Sequence, residues 1–133
     1  MTLNIRVIAP DRTVWDANAE EVILPSSTGQ LGILTGHIPL LTALDIGVMR
    51  VRIDKDWVPI VLMGGFAEID NNKITILVNG AEETIDIDIS LAQKNLEEAT
   101  AKLTQAVSTK DIIEATQNIR KARARLQAVV TIN

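Results

Sequence analysis

Cysteine is absent from the 133 residues, so neither a disulfide framework nor a cysteine-ligated zinc site is available to this chain. Histidine occurs once, as His37, which removes most histidine-based metal centres as well. Aromatic residues make up only 2% of the sequence: Trp15, Trp57 and Phe66. A core must therefore be aliphatic, and stacking platforms for single-stranded nucleic acid are nearly missing. The net charge of −4 argues against a polyanion-binding protein as a whole, though it leaves room for a local basic patch. No apolar run approaches the ~18 residues that suggest a membrane span. The longest, PIVLMGG, is strand-sized. The opening MTLNIRVIAPD lacks the basic and long apolar segments of a signal peptide. These absences predict a soluble intracellular chain without metal or nucleic acid, held at any membrane only by something else.

Glycine and proline are missing from residues 81–133, whereas every glycine lies at or before Gly80 and every proline at or before Pro59. Both residues punctuate turns and interrupt helices, so the chain changes class near Gly80. The first part reads as strands. LNIRVIA alternates, with Leu3, Ile5 and Val7 on one face. EEVILP is a short strand stopped by Pro25. VMRVRI sets Met49, Val51 and Ile53 opposite Arg50 and Arg52. The segments DKD (Asp54 to Asp56) and DNN (Asp70 to Asn72) read as hairpin connections. Pro59 within a strand implies an edge or a bulge. Many short strands imply an antiparallel sandwich or barrel.

The second part reads as two helices. Apolar residues recur at Ala92, Leu96, Ala99, Leu103 and Ala106, then at Ile112, Ala115, Ile119, Ala122, Leu126 and Val129. Alternating steps of three and four define a heptad seam in each. Ser90 with Gln93, and Asp111 with Glu114, look like capping boxes, and STKD is a short loop. The expected fold is an antiparallel β-sandwich or barrel over residues 1–83, followed by an antiparallel helix hairpin over 84–133. The alanine-rich seam buries little surface, so the hairpin should be marginal unless it rests on the β domain or on a partner.

Three stretches invite a functional reading. SSTGQLGILTGHIP (Ser26 to Pro39) carries three glycines and His37. It lacks the lysine of a phosphate-binding P-loop, and Gly29, Gly32 and Gly36 miss the dinucleotide spacing. His37 has no cysteine or acid placed beside it in sequence, so it reads as a structural or contact residue, with the glycines supplying turns. The basic run Arg120, Lys121, Arg123 and Arg125 avoids the seam positions. It is either a solvated helix face or a patch for an acidic partner. Glu82, Glu83, Asp86 and Asp88 lack EF-hand spacing and read as an exposed acidic linker. No nucleophile–base pair or metal constellation stands out, so no catalytic, cofactor or metal residue is assigned.

Taken in order, LPSSTGQLGILTGHIPLLTAL, MGGFAEIDNNKITILVNGAE, the ID of Ile87 and Asp88, and a helix ending RKARARLQA resemble the ε-subunit family of F-type rotary ATP synthases. TLNIRVIAPDRTVWD and NNKITILVNGAE are similar to its chloroplast and cyanobacterial branch. The resemblance implies a non-catalytic rotor component of the central stalk. Its β domain would pack on the γ subunit and the c-ring, coupling proton-driven rotation to ATP synthesis. Its hairpin would lie on the β domain or extend toward the αβ subunits to restrain ATP hydrolysis. Location would be peripheral, at the thylakoid membrane on the stromal or cytoplasmic side. By residue, it implies contacts to γ and the c-ring from Gln30 and His37, within the loop Thr28 to Pro39, and from Met63, Gly64, Gly65 and Phe66. It implies contact with the β subunit from Arg120, Lys121, Arg123 and Arg125. Some relatives bind ATP through an I-D-x-x-R-A motif; here Leu91 stands at the arginine position and Lys121 replaces another arginine. Losing a guanidinium removes a bidentate phosphate donor, so ATP binding is expected to be weak or absent.

Overall fold

The computed structural model describes residues 2–84 and 87–132. Eight strands come first: β1 (Leu3–Ala9), β2 (Arg12–Ala19), β3 (Glu21–Ser26), β4 (Gly29–Leu34), β5 (Leu40–Ile53), β6 (Asp56–Asp70), β7 (Lys73–Val78) and β8 (Ala81–Glu83). Helices α1 (Ile89–Gln105) and α2 (Thr109–Ile132) follow. The ladder runs β2-β1-β7-β6-β5-β3-β4, with β8 paired to β6. Every pairing is antiparallel except β1 with β7.

In β1 the expected alternation holds: Leu3, Ile5 and Val7 are fully buried. They share one core cluster with Val22 and Leu24 of β3, four ladder steps away. A flat sheet would separate those strands by roughly 19 Å. Sharing one core therefore requires the sheet to fold over on itself as a sandwich. The bend falls where β5 and β6 exchange the face they turn inward. In β6 the inward residues are Ile60 and Leu62, then Ala67 and Ile69; in β5 they are Leu44, then Met49 and Val51. Gly64 and Gly65 lie at this level with φ of 82° and 149°. A Cβ on Gly65 would collide with the carbonyl of Leu77, so the corner admits only glycine.

Both predicted hairpins exist. Asp54 and Lys55, and Asn71 and Asn72, all have positive φ, the signature of two-residue turns matched to strand twist. One local expectation needs correction. Pro25 does not stop β3: it pairs with Gln30, and the register against β5 shifts between Ile23 and Ser26. A Cβ on Gly47 would come within 2.8 Å of the Pro25 ring, so this glycine makes room for it. WVPIVLM and FAEI are one strand, β6, because the glycine pair bends it without ending it. Pro59 sits inside that interior strand, yet β8 pairs only with Ile60–Leu62 and β7 only with Gly65–Asp70. At Pro59 the strand is thus paired on its β5 side alone, which is the tolerance expected of an edge.

The helices pack as an antiparallel hairpin with Ala92, Ala99, Ala115, Ile119 and Ala122 buried. The α1 cap is Asp88, whose carboxylate accepts from the Leu91 N–H at 3.1 Å, rather than Ser90. At α2 the capping contact comes from Ser108, whose hydroxyl accepts from the Asp111 N–H at 3.2 Å. Asp111 instead supplies first-turn acidity. Helix α2 carries a second apolar stripe that heptad spacing missed. Ala124 and Ala128 pack on Val48 and Val61, flanked by Ile46, Met63 and Ile87. At 100° per residue, Ala124 lies about 180° from Ala115, so α2 is wedged between α1 and the sheet.

Candidate functional site: a partner-facing surface

The stretch that reads as one glycine-rich loop is two structures. Gly29 to Leu34 form β4, an edge strand, and only residues 35–39 are a connection. Gly29 and Gly36 have positive φ, but Gly32 is an ordinary strand residue opposite Ile23. Gln30 is exposed at the β3–β4 turn, which is tied down by hydroxyl contacts of 3.2 Å from buried Ser26 to Thr28 and to Thr42. His37 lies past the opposite end of β4. Its backbone N–H donates to the Leu34 carbonyl, and its Nδ1 lies 2.7 Å from the Ile38 carbonyl oxygen. The neighbouring Gly36 N–H donates to the side chain of Asn72 at 2.7 Å, pinning the connection to the β6–β7 turn. Gln30 and His37 are thus separated by the whole of β4, more than ~13 Å along the strand. They do not form one site.

The outer face of the sheet divides into a covered and an open part. Ile46, Val48, Val61 and Met63 lie under α2. Beyond the glycine corner the same face continues through Leu41, Ala43, Phe66 and Leu77, matched in register as Ala43 with Phe66 and Phe66 with Leu77. Leu41 is 69% exposed, Phe66 57% and Leu77 53%. Ile38, 73% exposed, lies on the β4–β5 connection. Of the residues assigned to this region, Phe66 is open, Gly64 and Gly65 are the corner, and Met63 is packed beneath the hairpin.

The basic run does not form one face. With about 100° between successive residues, Arg120 and Arg123 share one side of α2 and Lys121 and Arg125 the other. Arg120 and Arg123 are exposed; Lys121 and Arg125 are half-buried. Arg125 donates from Nε to both oxygens of Glu82 at 2.8 and 3.1 Å, and from a terminal nitrogen to Oε2 at 2.7 Å. These hydrogen bonds hold the Arg125 pKa above its ordinary value, against the opposing effect of burial, so the guanidinium stays charged. Glu82 is accordingly a half-buried ion-pair residue of β8, not part of an exposed linker. Asp88 caps α1, and Asp86 lies outside the described residues.

Ile87, Asp88, Leu91 and Arg125 do converge, on a cleft of about 250 Å³ that also touches Glu82. A neighbouring groove of about 360 Å³ runs between the helices past Lys102, Lys121 and Arg125. The cleft does not fit a polyphosphate. Leu91 offers no donor, the Arg125 fork is occupied, and the Glu82 carboxylate would repel an anion. Among the described residues no group of three or more metal-ligating side chains assembles. No described helix is long and apolar enough to cross a membrane.

These elements define a two-part protein, a folded-over β-sandwich carrying a helix hairpin, with one apolar face of the sandwich left open. Residues 2–84 match the family described as ATP synthase, Delta/Epsilon chain, beta-sandwich domain, and residues 86–129 its long alpha-helix domain. The chain belongs to the epsilon-chain family of ATP synthases. It is 77% identical over 128 residues to the ATP synthase epsilon chain, chloroplastic, of Porphyra purpurea, covering 96% of each chain. It is 61% identical over 131 residues to the ATP synthase epsilon chain of a Cyanothece species, covering 96% of this chain and 95% of the relative. The fold matches a chain in the mitochondrial ATP synthase of Euglena gracilis, an OSCP/F1/c-ring structure, with a TM-score of 0.85 at 22% identity. That match covers 97% of this chain and 81% of the other. A central stalk/c-ring structure from Tetrahymena thermophila matches with a TM-score of 0.68 at 13% identity, covering 97% of each.

Proposed function

We propose that this chain is a non-catalytic rotor subunit of the central stalk. In this reading residues 1–83 grip γ and stand on the c-ring, and residues 84–133 form a regulatory hairpin. Proton-driven turning of the c-ring passes through the sandwich and γ to ATP synthesis in the αβ head. The observation that carries the reading is the open apolar face of Leu41, Phe66 and Leu77. It continues beyond the strip that α2 covers, so one side of the sandwich is built to be packed against. Gln30 and His37, at opposite ends of β4, mark two further contacts, one toward the c-ring and one toward γ. Arg120 and Arg123, with Lys121 and Arg125 when the hairpin is extended, meet an acidic surface of the β subunit and restrain ATP hydrolysis. The chloroplastic and cyanobacterial relatives support a peripheral place at the thylakoid membrane, on the stromal or cytoplasmic side. The test is capture of isolated γ by the full chain. Phe66→Ser with Leu77→Ser should weaken capture at least tenfold while the chain stays folded. Capture equal to that of the unaltered chain would remove this face from the contact.

A further inference from the structure

Among the described residues, the buried side chains that α2 brings to the sandwich are small, those of Ala124 and Ala128 against Val48 and Val61, with Ile87 partly buried beside them. Each alanine buries far less surface than a leucine would. Next to Ala124 stands a directional contact between α2 and the sandwich, the bidentate pair of Arg125 with Glu82. The Glu82 carboxylate is fixed by the sheet, because β8 pairs Ala81–Glu83 with Ile60–Leu62 and places Glu82 opposite Val61. Both partners are about 70% shielded from solvent, with side chains 27% and 30% exposed. A charge-assisted fork in that setting outweighs an exposed ion pair.

We propose that Glu82–Arg125 is the latch that holds the hairpin folded on the sandwich, and that it withholds Arg125 from an acidic partner until it opens. The inference rests on the reading that the hairpin leaves the sandwich to reach such a partner. The two engagements compete, since the Nε edge that grips Glu82 is withheld from a second carboxylate while the pair is closed. The folded hairpin therefore offers Arg120 and Arg123 with Arg125 engaged, and the released one offers Arg125 as well.

The absence of cysteine allows a direct test on the full chain. A thiol introduced by Ala128→Cys is fully buried between α2 and the sheet, so its modification rate reads opening of the hairpin. A thiol introduced by Val51→Cys, fully buried in the sandwich core, reads unfolding of the sandwich. Glu82→Gln should speed labelling at position 128 about tenfold and leave position 51 unchanged. Arg125→Lys should give a smaller increase, because the charge stays and the fork is lost. Exchanging the charges, Glu82→Arg with Arg125→Glu, should return labelling toward the original rate. Unchanged labelling at position 128 in Glu82→Gln would overturn the latch, and so would equal acceleration at both positions. In assembled ATP synthase, Glu82→Gln should lower ATP hydrolysis and Arg125→Gln should not, because the second loses the partner contact as well. If labelling accelerates while hydrolysis in Glu82→Gln is unchanged, the latch stands and the inhibitory reading of the hairpin fails.

Discussion

Gly65 has no room for a side chain: its φ is 149° and a Cβ would strike the Leu77 carbonyl. Gly65→Ala should therefore destabilise the sandwich by about 2–4 kcal/mol. A urea titration followed by tryptophan fluorescence measures this, and an unchanged midpoint would contradict the corner geometry. Phe66, one residue on, should behave oppositely. Phe66→Ser should change stability by no more than about 0.5 kcal/mol, since the ring is already 57% exposed. At this scale the sequence is legible where a residue acts locally. The positive-φ turn at Asn71–Asn72 follows from residue type, since asparagine tolerates that region, whereas at Asp54–Lys55 only the aspartate does. The Glu82–Arg125 pair does not, because its members lie 43 positions apart and only the docking of α2 joins them. The glycine pair at 64 and 65 bends β6 without ending it.

Among the elements, β1 and the hairpin seam are readable because their periods are undisturbed. Leu3, Ile5 and Val7 keep a period of two, and Ala115, Ile119 and Ala122 keep steps of four and three. The second stripe on α2 was hidden because alanine is common on helix surfaces as well as in seams, so Ala124 and Ala128 carry no signal of their own. The same ambiguity hid the splitting of the basic run. Four charges in six residues look like one patch until the sheet-facing stripe divides them. The division makes a prediction. In assembled enzyme, Arg120→Ala with Arg123→Ala should relieve inhibition of hydrolysis and leave hairpin docking intact. Lys121→Ala with Arg125→Ala should relieve inhibition and also loosen docking. Hydrolysis rates and protease sensitivity of the hairpin read the two effects separately. Unchanged inhibition in both variants would remove these charges from the contact.

For the whole molecule, the two halves differ in what holds them. The main core cluster is drawn entirely from the strands, whereas the hairpin meets the sheet through a smaller cluster of its own. Deleting residues from Ile112 onward should leave the sandwich folded, at a cost of about 1–3 kcal/mol for uncovering Val48 and Val61. Amide dispersion in NMR spectra would show this, and collapse of the β-strand resonances would contradict an independent core. Calorimetry with ATP should find millimolar affinity or none, because the cleft at Leu91 offers a polyphosphate no free fork; micromolar affinity would overturn that reading of the cleft. The most direct measurement of the central claim is co-elution of the full chain with isolated γ, and then with the c-ring, on size exclusion. The rotor account predicts a one-to-one complex with γ that the c-ring joins. A chain that elutes alone from folded γ under all conditions would contradict it.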